Sequence, residues 1–413
     1  MPAMAVTFIL FNTVINLWIG ERIETVQNLL AIGILAIWAC NILAEPSRVL
    51  VPWIKSNILI LLYFAVRLIS LWQSGFDYSV IRTIFFEVFF LVGICQITLQ
   101  SGRAIYVKLF IWIELIISGL SLLLYYLFQH LGSGLQQLLS EHSYIGQTGN
   151  AMLFSNPNTA GLMAGFSIVL AVILYGKKSY NKYFIAGFGI YNIAALILFG
   201  CRSADVGVVV VFAFLIINKI FPDIKKKKIA AMILLVSVST LIPVYALIEY
   251  HEAKETLSYT PIEEMADKLS SGRYTVWKQC AITQKDDLIF GKGNLSLEQK
   301  SRREYMDGLE KRWEYSYRYF AAAQLGPHNG YIGMISGAGW LGFGLFIAIL
   351  LQRIKRAKHL EKGNWYLLLI FSFVINCFES LFILNRFFTC FYMFLILETD
   401  MEDGEKRLTE ANQ

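Results

Sequence analysis

About a dozen apolar runs, most near 18 residues and almost free of charge, constrain this chain more than any other feature. A run of that length as a helix crosses roughly 30 Å of hydrocarbon. A helix also closes its own backbone hydrogen bonds, which lipid does not do for it. Spans are expected at 5–19, 26–44, 57–73, 80–99, 104–129, 152–175, 183–200, 204–221, 229–250, 328–352, 364–383 and 385–399. The composition agrees: 56% of the 413 residues are hydrophobic and 16% charged, where a soluble domain carries about a quarter charged. The expected fold is an all-α integral membrane protein of about twelve spans.

The placement of Lys and Arg sets the expected orientation. Every second loop is basic: Arg48 and Lys55, then Arg103 and Lys108, then Lys177, Lys178 and Lys182. Lys219 and Lys225–Lys228 follow, then Arg353, Lys355, Arg356, Lys358 and Lys362. Both termini are therefore expected in the cytoplasm of a multi-pass membrane protein. The net charge of +6 follows from this topology and indicates no nucleic-acid partner. Residues 1–250 hold the first nine spans, 251–327 a large extracytoplasmic loop, 328–399 the last three spans and 400–413 a short cytoplasmic tail. The six cysteines form no CxxC pair, so neither a disulfide framework nor a zinc site is expected. The first apolar run lacks a basic leader and a clear cleavage site, and reads as a span.

Charged groups in or beside lipid are expensive and need a reason. Arg202 sits in the short turn Gly200-Cys201-Arg202-Ser203 between two spans. It is suited to a bidentate phosphate contact, and equally to an ion pair with Asp205 or an interfacial anchor. Arg273, in Ser270-Ser271-Gly272-Arg273, falls in the first turn of a helical stretch, where amide groups favour anions. It also fits an ordinary solvated arginine. His328 opens a glycine-rich span, with Asn329 beside it. It is a candidate general base or a satisfied interfacial histidine. Asn156 and Asn158 flank Pro157 at the start of another span, placed to cap it or to bind sugar hydroxyls. Trp277 belongs to an aromatic set in the loop that suits stacking on sugar faces. Glu379 lies near the outer end of the eleventh span, with Arg386 beyond it as a possible partner. Arg67, Arg82, Glu87 and Glu114 are further charges within spans, for which internal pairing is expected. No spaced acidic motif lies on the outer face, so the chemistry is expected to need no metal and no cofactor.

Taken in order, these features resemble the O-antigen ligase and Wzy-type polysaccharide polymerase family. The resemblance runs from about Phe154 to Glu379. It rests on Asn156-Pro157-Asn158, Cys201-Arg202-Ser203, Gly272-Arg273 with Trp277, Phe290-Gly291-Lys292-Gly293, and His328-Asn329 before a glycine-rich span. The first 150 residues match only as hydrophobic spans. The resemblance implies a GT-C-like membrane glycosyltransferase, metal-independent and inverting. Its donor would be an oligosaccharide on undecaprenyl pyrophosphate, bound by Arg202 and Arg273, with His328 or Glu379 as base. A bacterial cell membrane is implied, with membrane lipids, a flippase and a chain-length regulator as partners. The chain departs from the family in having Cys201 where Ser is common, and Asp287 where a Pro often precedes Gly-x-Gly. Two other readings stay open: transfer of a finished glycan to another acceptor, and a lipid-glycan flippase or transporter. The flippase reading expects charges near the midplane and internal repeats, whereas the best candidates here lie at one surface and no repeat is evident.

Overall fold

The computed structural model describes residues 20–44, most of 51–94 and of 103–133, and 153–239 with short breaks. It also describes isolated residues of 261–277, 288–293 without Lys292, and most of 328–398 apart from 382–387. The expected first span, the bulk of the 251–327 segment, the tail, Asn156, Gly272 and Arg386 lie outside the described residues.

Among the described residues the regular structure is helical. The helices are α1 (Gly20–Ala44), α2 (Ile58–Gln73), α3 (Tyr78–Val88), α4 (Arg103–Gln129), α5 (Pro157–Tyr175) and α6 (Lys182–Phe199). They continue with α7 (Arg202–Ile220), α8 (Lys226–Ser239), α9 (Gly330–Arg356), α10 (Tyr366–Ile375) and α11 (Phe388–Glu398). Each coincides with an expected apolar run. Five of them are long and apolar enough to cross a membrane: residues Ile105–Gln129 of α4, and α5, α6, α7 and α9. α2 and α10 are shorter apolar helices. The exterior fits a lipid solvent, because α6 and α7 expose Ile190, Ile193, Ile197, Val209 and Ile216.

The centre of the bundle is α5. It is apolar all round, and nearly every residue from Ala160 to Leu174 is buried, as expected of a helix packed on every side. It contacts α6, α7 and α10, and α10 also packs on α7 and α8. Small residues set these close approaches. A Cβ on Gly165 of α5 would sit 2.9 Å from the Phe371 ring of α10, and one on Gly207 of α7 would sit 2.8 Å from it. Phe371 is thus wedged between two glycines on facing helices.

α9 packs on α2 and is broken within. Gly339 takes φ 66° and ψ 180°, a conformation open to glycine and strained for other residues. The break frees backbone groups, and residues of the hydrophilic segment satisfy them. The Trp340 and Leu341 amides donate to the Leu288 and Ile289 carbonyls at 2.8 and 3.2 Å, and the Gly293 amide donates to the Gly337 carbonyl at 3.1 Å. Ser70 of α2 donates to the Phe290 carbonyl at 2.5 Å. Residues 288–291 and Gly293, from the segment expected as an external loop, pack between α2 and α9. Gly339 lies nine residues beyond Gly330, roughly 13 Å along the helix. Irregular backbone at that depth is stable because protein surrounds it.

Arg67 of α2 holds this insertion. It is 1% exposed and pairs with Glu87 of α3 at 2.8 Å. It also donates to the Gly337 carbonyl and, at 3.4 Å, to the Gly293 carbonyl. The internal pairing expected for these charges is found for Arg67 with Glu87. Glu114 instead meets the Asn192 amide at 3.2 Å.

Candidate functional site

Four chain segments meet at one end of the bundle: the start of α5, the turn between α6 and α7, the start of α9 and the end of α10. Lys177, Lys182, Lys219 and the Arg353–Arg356 end of α9 lie at the opposite helix ends. This separation of the polar site from the basic ends is what the alternation of basic loops leads one to expect.

The α10 end supplies the centre of the site. After Ile375 the chain turns through Asn376–Glu379, and the Glu379 carboxylate is 3% exposed. Arg273 reaches it through Nη2 at 3.0 Å and also donates from Nη1 to the Phe378 carbonyl at 2.8 Å. Asn158, in the first turn of α5, donates to the same Oε1 at 3.0 Å. His328 Nδ1 stands 3.1 Å from the other oxygen, Oε2. One buried carboxylate therefore joins a guanidinium, an amide and an imidazole from three distant parts of the sequence. With Glu379 ionised, Nδ1 carries the proton and donates it. Nε2 is then the basic nitrogen. It is shielded from solvent and bonds to no described residue.

The start of α9 aims the histidine. Asn329 is the N-cap: its Oδ1 accepts from the Tyr331 and Ile332 amides, which satisfies two of the donors a helix start leaves open. Its Nδ2 donates to the Cys377 carbonyl at 2.9 Å, tying α9 to the α10 end. The Gly330 amide donates to the Asn376 carbonyl at 2.8 Å. A Cβ on Gly330 would fall 1.8 Å from Asn376 Oδ1, so a larger residue there would have to push the buried Asn376 side chain aside. His328 precedes the cap with φ 45°, a backbone region uncommon outside glycine. Such conformations persist where surrounding contacts hold them.

The α6–α7 turn lies alongside. Gly200 ends α6 in the left-handed region, and Cys201 is the N-cap position of α7. Cys201 is buried against α5: a Cβ on Gly161 would be 2.1 Å from Cys201 Cβ. Its Sγ approaches the Asn158 carbonyl at 3.6 Å and Ser203 Oγ at 3.2 Å. Burial pushes the Cys201 thiol up, so it stays neutral. Arg202 follows it, exposed. Among the described residues no ion pair joins Arg202 to Asp205 or to any other acid.

Arg273, His328, Asn158 and Glu379 thus come together, with Arg202 one residue from Cys201, which touches Asn158. Trp277 is half-buried against the hydrophobic core. The Asn329 side chain is directed to the helix cap and the Cys377 carbonyl, not outward. Arg273 is a partner of Glu379; Arg386, the partner suggested from the sequence, lies outside the described residues. Asn376 and the Phe378 carbonyl were not singled out from the sequence. Asn376 is an uncharged residue at the end of an apolar run, and a backbone carbonyl leaves no compositional trace.

Among the described residues no group of three or more His, Cys, Asp or Glu is placed to hold a metal ion. No curated protein matches the chain. Residues 148–347, which include Asn158, Arg202, Arg273 and His328, match the family model described as O-antigen ligase. That stretch of the chain is similar to the O-antigen ligase family, the family that its motif order resembles.

Proposed function

We propose that this protein is a glycan polymerase that moves a growing chain from undecaprenyl pyrophosphate onto the next lipid-linked repeat unit, at the outer face of a bacterial membrane. The observation that carries the reading is the pairing of His328 Nδ1 with buried Glu379 beside Arg273. A carboxylate on one imidazole nitrogen fixes the tautomer and leaves the other as a base. His328 Nε2 takes the proton from the acceptor hydroxyl. That oxygen bonds to the anomeric carbon of the donor as the bond from this carbon to the pyrophosphate oxygen breaks. A single displacement of this kind inverts the anomeric centre. Arg273 and Arg202 neutralise charge on the departing pyrophosphate. Their guanidiniums supply the positive charge a metal supplies elsewhere, so the proposed chemistry is metal-independent.

Within this reading His328 is the base, and Glu379 is its positioning partner, because Glu379 already accepts three donors. Asn329 supports the helix start, Asn158 holds Glu379, and Asn156 and Trp277 are assigned to the sugar chain. The twelve-span GT-C-like topology with both termini in the cytoplasm belongs to the same proposal. Transfer of the finished glycan to another acceptor uses the same site and is the second reading. The site's position at the helix ends, away from the middle of the bundle, favours either transfer over transport through it.

The test mixes purified protein in nanodiscs with lipid-linked oligosaccharide from its host, in EDTA. A ladder of lengthened glycans is expected, and His328→Ala, Arg273→Ala and Arg202→Ala are each expected to abolish it while the protein still inserts. Lengthening that survives all three substitutions would remove these residues from the chemistry. No lengthening, even with added acceptors and restored divalent metal, would favour the transport reading.

A further inference from the structure

A second buried acid lies apart from the Glu379 cluster, and the reaction makes no use of it. Glu114 of α4 and Asn192 of α6 are both fully buried. Asn192 is seven residues from the end of its helix, roughly 10 Å from the Gly200–Cys201 turn. Its amide nitrogen donates to Glu114 Oε2 at 3.2 Å and to the Phe188 carbonyl one turn back at 2.9 Å. Both amide protons are therefore in use, and the carbonyl contact fixes which atom of the amide is nitrogen. Two oxygens are left over, Glu114 Oε1 and Asn192 Oδ1, each buried without a hydrogen-bond partner.

Among the described residues no cation answers the carboxylate. The polar groups acting on Glu114 are Ser118 and Asn192. From α6 the titratable neighbour is Tyr191, whose hydroxyl is 2.7 Å from Ser118 Oγ. The α5 helix contributes no ionisable side chain but Tyr175, at its far end. Lys108, the nearest cation before Glu114 on α4, is exposed. An ionised carboxylate in this setting would carry an uncompensated charge in apolar surroundings, the least favourable state for such a group. Two buried acceptors without a donor, Glu114 Oε1 and Asn192 Oδ1, would remain as well.

One proton removes both problems. Placed on Glu114 Oε1, it is donated to Asn192 Oδ1 while Asn192 Nδ2 continues to donate to Oε2. We infer that Glu114 is a proton-binding site within the membrane, meeting Asn192 as a two-point acid–amide pair that joins α4 to α6. The ligand of this site is the proton, and the site is independent of glycan transfer.

Infrared difference spectroscopy on the full-length protein in nanodiscs at pH 7 tests it. Subtracting the Glu114→Gln spectrum from the wild type is expected to leave the C=O stretch of a protonated carboxylic acid. Carboxylate bands in its place, or no protonated-acid band, would overturn the inference. Thermal unfolding gives a second reading. Gln supplies an N–H where the acid had its O–H, so Glu114→Gln is expected to keep the midpoint within about 2 °C. Asn192→Leu, which leaves the acid without its partner, is expected to lower it by about 4 °C or more. A Glu114→Gln protein that does not fold, or an Asn192→Leu protein as stable as wild type, would refute the pair.

Discussion

Glu379→Gln is expected to leave a folded protein whose glycan transfer falls by roughly 10²–10⁴-fold, the range contributed by a positioned general base. The substitution changes few atoms and keeps the shape. Gln still offers an oxygen to Asn158 or Arg273, so the α10 end stays packed. Its amide, however, has an N–H to present to His328 Nδ1, 3.1 Å away in the wild type. Donating there makes Nδ1 the acceptor and moves the proton to Nε2, the nitrogen assigned to the acceptor hydroxyl. Arg273 also loses its ion-pair partner at 3.0 Å. Glu379→Ala is expected to lose as much activity and to lose stability too, since it strips the partner from three donors at once. The measurement is single-turnover transfer with donor saturating, alongside donor binding. If His328 is the base, Glu379→Gln lowers the rate far more than it weakens binding. Equal loss in both would make Glu379 a group that holds Arg273 for the donor and not a partner of the histidine. A rate within threefold of wild type would remove the pair from the chemistry.

The parts of this molecule that were legible in one dimension are those set by one-dimensional physics. Lipid demands long apolar runs, and α2 to α11 appear where those runs occur. Single residues at helix starts were also readable: the stretch through Asn158 begins α5, and the one through Asn329 begins α9. Arg273, His328 and Glu379 stood out because a charge or imidazole beside lipid needs a partner. Which partner was not readable. Glu379 lies 106 residues from Arg273 and 221 from Asn158, and no periodicity links such positions. Arg386, only seven residues along the chain, was the local candidate for Glu379 and lies outside the described residues. Among the glycines of α9, Gly330 and Gly339 look no different from Gly333 or Gly344. Their roles follow from Asn376 and Ile289, which press on them from elsewhere in the sequence. The polar character of 251–327 pointed to an external loop, yet the apolar Leu288-Ile289-Phe290 within it enters the bundle.

That insertion makes Gly339→Ala the substitution expected to damage the protein most for its size. The methyl group meets two obstacles. The backbone at φ 66° and ψ 180° lies in a region essentially reserved for glycine, at about 1–3 kcal/mol for another residue. The added Cβ would also stand 2.1 Å from the Ile289 carbonyl oxygen, which is backbone and has no rotamer to change. If α9 straightens to escape the strain, the Trp340 and Leu341 amides return to the helix and the 288–293 segment loses them as donors. Arg67 then keeps Glu87 but has carbonyls of altered geometry before it, deep in the bundle. Strain and lost hydrogen bonds, at about 1 kcal/mol each, sum to roughly 3–5 kcal/mol. Arg67→Ala is expected to do similar harm from the other side, because removing one member of a buried pair leaves Glu87 as an uncompensated charge, at about 3–5 kcal/mol. Both would be read as a fall in the detergent unfolding midpoint, together with faster proteolysis between Leu288 and Gly293. Combined, the two should cost less than their sum, since each disrupts the same contact between the segment and α9. Full additivity in the double variant would mean that Arg67 and the Gly339 break stabilise the bundle independently, and that the insertion is not held as one unit.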